Sequence, residues 1–191
     1  TEDEEIVTSS MKIASYFDNG DGTFTVYPDL READNNPLAD SDLLIGYYHN
    51  PGNTGTIYSV QQFTAISDPG SDQSILLEAE GDSIPYQHMI IARVGNIVDA
   101  ERQSFIRISS RTDCQYFYDG IDSWAAYSDP EHVRCTLGHA DIGLIPAWAK
   151  EAVGSVKRWF GLIADGVIIR GTFILHNDKT IEDELNGREI Q

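Results

Sequence analysis

Clusters of Asp, Asn, Gly and Pro interrupt this chain so often that long uninterrupted elements are excluded over most of its length. Asp18-Asn19-Gly20-Asp21-Gly22, Asn50-Pro51-Gly52-Asn53-Thr54-Gly55, Asp68-Pro69-Gly70-Ser71-Asp72, Gly81-Asp82-Ser83 and Gly95-Asn96 all consist of residues that favour turns. The runs between them, 11–17, 23–27, 43–48, 56–66, 75–80, 86–94, 104–109, 114–118 and 124–127, are rich in β-branched and aromatic residues. Short strands with turn signals about every 8–12 residues are the pattern of a sandwich or barrel. The expected fold is mostly β, an antiparallel, jelly-roll-like β-sandwich. An α+β fold with a partly open sheet is the alternative.

One stretch departs from this rhythm. Trp148, Ala152, Val156, Trp159 and Ile163 recur at intervals of three and four, which places them on one face of a helix. Pro146 suits the first helical turn, and Lys157 and Arg158 suit the last. The spacing therefore predicts one packed amphipathic helix near the C-terminus, ending near Phe160. Asp165-Gly166 sits between apolar runs and predicts a hairpin into a buried strand over 167–175. Thr180-x-x-Asp183 resembles the opening of a short helical turn. Trp148 and Trp159 are read as core residues rather than as a stacking platform.

At 191 residues the chain suits a single β-rich domain over 11–191, preceded by a flexible acidic arm over 1–10. Formal charge is −18, and Lys12 and Arg31 are the only basic residues before Arg93. So acidic a surface repels a phosphate backbone, so nucleic acid is not an expected partner, whereas a basic protein surface is. No apolar run has the length of a membrane span, and the N-terminal residues do not resemble a signal peptide. The expected location is a virion if the source is viral, and otherwise the cytoplasm.

Chemistry-bearing motifs are sparse. Cys114, His132, Cys135, His139 and Asp141 form the densest group, and His132-x-x-Cys135-x-x-x-His139 contains three candidate zinc ligands. The spacing lacks the Cys-x-x-Cys pair of strong zinc signatures, so no metal is expected, and the thiols are either free or joined in one disulfide. A nucleophilic arrangement of Cys135, His139 and Asp141 lacks any flanking motif. Asp18, Asn19 and Asp21, or Asp34, Asn35, Asp40 and Asp42, offer oxygen ligands for Ca²⁺ but do not follow the twelve-residue calcium loop. No phosphate-cradling loop or dinucleotide fingerprint occurs, and no cofactor is expected.

Tyr47, Tyr48, His49, Tyr116 and Tyr118 are the candidate binding residues, able to stack on a sugar ring or a protein partner if exposed. The absence of an activity motif favours a non-enzymatic structural protein, a homo-oligomer or a subunit of a larger protein assembly. A virion accessory component, decorating a capsid or belonging to a tail, is the expected form. A carbohydrate-binding, lectin-like module is the alternative, followed by a small hydrolase built on the Cys/His/Asp group.

Overall fold

The structure is a computed structural model and describes residues 4–30, 34–49, 57–109, 113–154 and 158–168. Eleven strands are present: β1 (Glu4–Val7), β2 (Ser10–Asp18), β3 (Thr23–Pro28), β4 (Asp42–His49), β5 (Ile57–Ala65), β6 (Ile75–Ala79), β7 (Ile90–Asn96), β8 (Phe105–Ser109), β9 (Cys114–Tyr118), β10 (Val133–Asp141) and β11 (Arg158–Ala164). Two short helices accompany them, α1 (Trp124–Tyr127) and α2 (Ala147–Val153).

The mostly β, antiparallel expectation is met, but the arrangement is not the expected sandwich. Strands β2-β3-β6-β5-β4-β7 close into a six-stranded barrel, and β1-β8-β9-β10-β11 form a separate five-stranded sheet. Closure is completed where the start of β2 pairs with β7, Met11 opposite Ile91. A barrel removes the free edges that an open sheet leaves unpaired. Turn spacing could not distinguish the two outcomes, because hairpins of the same length build both.

The barrel and the sheet share a wall. Leu44 and Ile91 point into the barrel, among Phe24, Val26, Phe63, Leu77 and Met89. Leu43, Ile45 and Tyr47 from β4, with Ala92 and Val94 from β7, point the other way and pack on Phe105, Tyr116, Tyr118, Ala140 and Ile163 of the second sheet. Residues 42–47 are buried without a break, as a strand covered on both faces must be. Gly95 lets Ile121 lie against this wall. A Cβ there would stand 2.3 Å from the Ile121 carbonyl oxygen.

A buried polar knot fastens the same corner. Asp42 is fully buried and accepts from Arg102 Nε at 2.9 Å and Nη2 at 2.6 Å, a side-on pair of charge-assisted bonds. Asn96 Nδ2 donates to Asp42 Oδ1 at 2.9 Å, and the Ala39 N–H donates to Oδ2 at 2.8 Å. Asn96 Oδ1 in turn receives the N–H groups of Val98 and Asp99 at 2.9 and 2.7 Å. The knot links the start of β4, the end of β7 and the 3₁₀ turn Ala100–Arg102 that leads to the second sheet.

Two local expectations are corrected, and one further strand is added. The predicted helix up to Phe160 stops at Val153, because Gly154 takes a φ of +70° and closes it. Its inward residues are Ala149 and Val153, Trp148 is exposed, and Trp159 belongs to β11. The run 124–127 is helical rather than a strand, since Ser123 Oγ accepts the Ala126 N–H at 3.2 Å and two alanines favour the helix. The expected acidic arm contributes Glu4–Val7 as β1, paired with β8 from Glu4 opposite Ser109 to Val7 opposite Ile106.

Beyond Asp165-Gly166 no hairpin partner forms through Ile168, and both Val167 and Ile168 are exposed; 169–175 and the Thr180 motif lie outside the described residues.

Removing the buried Asp42 carboxylate takes the charge-assisted partner from the partly exposed Arg102 and leaves the Ala39 N–H without its acceptor. Asp42→Ala should cost about 1.5–3 kcal/mol of folding stability, measured as a shift of the urea midpoint. Gly95→Ala should also destabilise, because the atom it would displace is backbone.

Candidate functional site

The outer face of the second sheet is the feature that packing within the chain does not explain. On β11, Trp159 and Ile163 turn inward, and the Trp159 indole lies over Gly161, where a Cβ would come within 2.2 Å of the ring. Phe160 and Leu162 turn outward and are 69% and 51% exposed. Leu137 on β10 sits directly opposite Leu162 and is 52% exposed.

Register carries the apolar surface across four strands. One row runs Ile108, Gln115, Leu137, Leu162, and a second runs Ile106, Phe117, Cys135, Ala164. His139 and Phe160 form a further pair, with ring centroids 4.6 Å apart. Within β8–β11 these rows contain no Asp, Glu, Lys or Arg, in a chain whose formal charge is −18, and on the edge strand β1 the first row continues to Glu5, opposite Ile108. Four strands about 4.8 Å apart and about 20 Å long present roughly 350 Å². A patch of that size is comparable to the largest on a typical monomer, which is often functional.

The candidate binding tyrosines lie elsewhere. Tyr47 is buried in the shared wall, and the side chains of Tyr48 and His49 lie outside the described residues. Tyr116 is fully buried, and its hydroxyl accepts the Asp141 N–H at 3.0 Å. Tyr118 is buried and stacked on Phe105 at 4.5 Å, its cross-strand neighbour. The exposure that a sugar-stacking platform needs is therefore missing from Tyr47, Tyr116 and Tyr118. These strands are amphipathic in the sense that puts tyrosine inside.

The Cys/His/Asp group is dispersed by the pleat. Cys114 on β9 faces the inner core, whereas Cys135 and His139 on β10 belong to the outer rows. Both cysteines are free. Asp141 Oδ1 accepts the Gly143 N–H at 2.8 Å, and the His132 ring meets the Asp119 carbonyl at 3.0 Å. Among the described residues no three His, Cys, Asp or Glu side chains are grouped to hold a metal ion. Burial raises the thiol pKa of Cys114 and of Cys135, the reverse of what an activated nucleophile requires.

The acidic turns are likewise occupied by their own backbone. Asp18 Oδ1 accepts from the Gly20 N–H at 2.8 Å. Asp21 Oδ1 accepts from the Thr23 hydroxyl at 2.6 Å and from the Thr23 N–H at 3.0 Å. Asp42, grouped in the sequence with Asp34, Asn35 and Asp40, is the partner of Arg102.

The outer rows are hidden in the sequence because β10 carries the Cys/His/Asp group and β11 spans the end of the expected helix at Phe160 and the hairpin arm before Asp165-Gly166. The signal is present: Trp159–Ala164 is apolar at both inward and outward positions, although β11 is an edge strand.

The chain matches no family model, no curated protein and no solved structure. No described helix is long and apolar enough to cross a membrane.

Tyr116→Phe should cost about 1 kcal/mol or somewhat more in chemical denaturation, by leaving the Asp141 N–H without its acceptor. Because the folded thiol of Cys114 titrates above its unfolded value, its contribution to stability is complete below about pH 8.5. That contribution is lost as pH rises beyond it. Cys114→Ala should flatten the alkaline decline in stability.

Proposed function

We propose that this chain is a non-enzymatic structural protein that takes its place in a multi-subunit assembly by docking the outer face of its second sheet against another copy of itself. The observation that carries the reading is the uncharged apolar ground around Leu137, Phe160 and Leu162, three large side chains that remain more than half exposed. Covering it removes apolar area from water at roughly 25 cal/mol per Å². The inner face of the same sheet is packed on the barrel wall, so docking needs little reordering.

The larger assembly proposed from the sequence is a virion, with the chain as an accessory component of capsid or tail. A compact, strand-rich and acidic subunit without an activity motif supports that placement. Charge elsewhere on the surface then keeps free subunits apart and leaves the neutral face for contact. Self-association of so acidic a chain should strengthen with salt, since screening reduces repulsion between copies.

Sedimentation equilibrium of the native chain and of Leu137→Glu/Leu162→Glu tests the reading. The expected result is concentration-dependent association of the native chain, deepened by salt. The double variant should be monomeric, with a urea midpoint close to that of the native protein. A native chain that is strictly monomeric, or one with turnover on an ester, peptide or glycoside, would contradict it.

A further inference from the structure

One titratable ring lies inside the apolar ground of the outer face. His139 on β10 stands opposite Phe160 on β11, and the two rings touch, with centroids 4.6 Å apart. The next pair along the same face is Leu137 and Leu162. A surface that covers Phe160 and Leu162 therefore encloses His139 as well. The His139 ring is already partly buried, and its Nδ1 is withdrawn from solvent without a hydrogen-bond partner.

The charged groups around the ring are few, and none of them reaches Nδ1. Asp141 follows on the same face of β10, but its Oδ1 accepts the Gly143 N–H at 2.8 Å, and in register it stands opposite Arg158. From the β9 side, Asp113 gives its backbone carbonyl to the His139 N–H at 3.2 Å, and the residue is exposed. Asp165, just past β11, is paired with Arg134 at 3.3 Å. Glu5 lies on the far edge of the sheet, in the row of Leu137. The Cys135 thiol, also on this face, is pushed up by burial and stays neutral.

Whichever nitrogen carries the hydrogen of the neutral ring, the imidazolium carries one on both. One of the two is then Nδ1, a charged donor with no acceptor. Docking removes the water that remains around the ring, and enclosing an unpaired charge is far costlier than enclosing a neutral imidazole. We propose that the contact between copies closes only over neutral His139, so that acid opens the assembly. This regulation rests on self-docking of the outer face. Protons bind the separated chains better than the joined ones, so association weakens as pH falls through the range in which imidazoles titrate. Bulk charge acts in the opposite direction. Protonating the chain's five histidines reduces its formal charge of −18 and by itself eases repulsion between copies. The sign of the pH effect thus separates this ring from the rest of the surface.

Sedimentation equilibrium of the full chain at high salt tests the proposal, at about pH 7.5 and about pH 5.5, either side of the ordinary imidazole pKa of about 6.5. An ordinary imidazole is about nine-tenths protonated at the lower value, so each ring that must shed its proton costs about tenfold. The native association constant should fall at least tenfold in acid. His139→Gln, which takes no proton, should associate at least as tightly in acid as at the higher pH. His139→Phe keeps a ring against Phe160 and serves as the same test should the amide itself weaken the contact. Circular dichroism should show the native chain folded at both pH values. Native association that is unchanged or stronger in acid, or an equal fall in the variants, would overturn this proposal but not the docking of the outer face. Acid unfolding of the native chain, or loss of association in both variants at the higher pH, would also overturn it. A chain that is monomeric at both pH values would overturn the docking as well.

Discussion

Everything in this fold depends on two strands that have no solvent face. β4 and β7 line the barrel with one set of side chains and support the second sheet with the other. Neither core is complete without them: Leu44 and Ile91 belong to one, Leu43, Ile45, Ala92 and Val94 to the other. A register slip of one residue in either strand would exchange the two sets, so both cores fix the same register. The Asp42–Arg102–Asn96 knot adds directional bonds at the end of this wall. Apolar packing alone holds position less strictly than such charge-assisted bonds do.

The sequence made the strand content legible, because its turn clusters and β-branched runs carry local information. Cys114–Tyr118 matches β9 to the residue, and 11–17, 43–48 and 75–80 differ from β2, β4 and β6 by a residue or two. Closure into a barrel was not legible, since it rests on the pairing of Ser10–Lys12 with β7, about 80 residues away. The helix over 146–160 failed for a local reason. Intervals of three and four also arise when a short helix and a strand both place apolar residues against one core, and the break at Gly154 does not interrupt that spacing. The nearly continuous apolar character of residues 42–47 was visible, and its cause, burial from two sides, was not.

The same pleat that builds the second sheet decides what its residues can do. Tyrosines at inward positions became packing, while Leu137, Phe160 and Leu162 at outward positions became surface. Period-two alternation separated Cys114 from Cys135 and His139, and with that separation the sequence's densest chemical motif lost its geometry. The face that remains for contact is therefore apolar and neutral, in a molecule otherwise defined by its negative charge. Its neighbour on the inner side is Arg107, a cation stacked on Tyr116 and Tyr118. One sheet thus presents two different chemistries, set by alternate residues of the same strands.

A shared wall implies that barrel and sheet unfold together. Differential scanning calorimetry on the full chain measures this directly, through the ratio of the calorimetric to the van't Hoff enthalpy. The account expects a single transition with a ratio near one, under conditions where the chain is monomeric. Two resolved transitions, with the barrel persisting after the second sheet has melted, would contradict it.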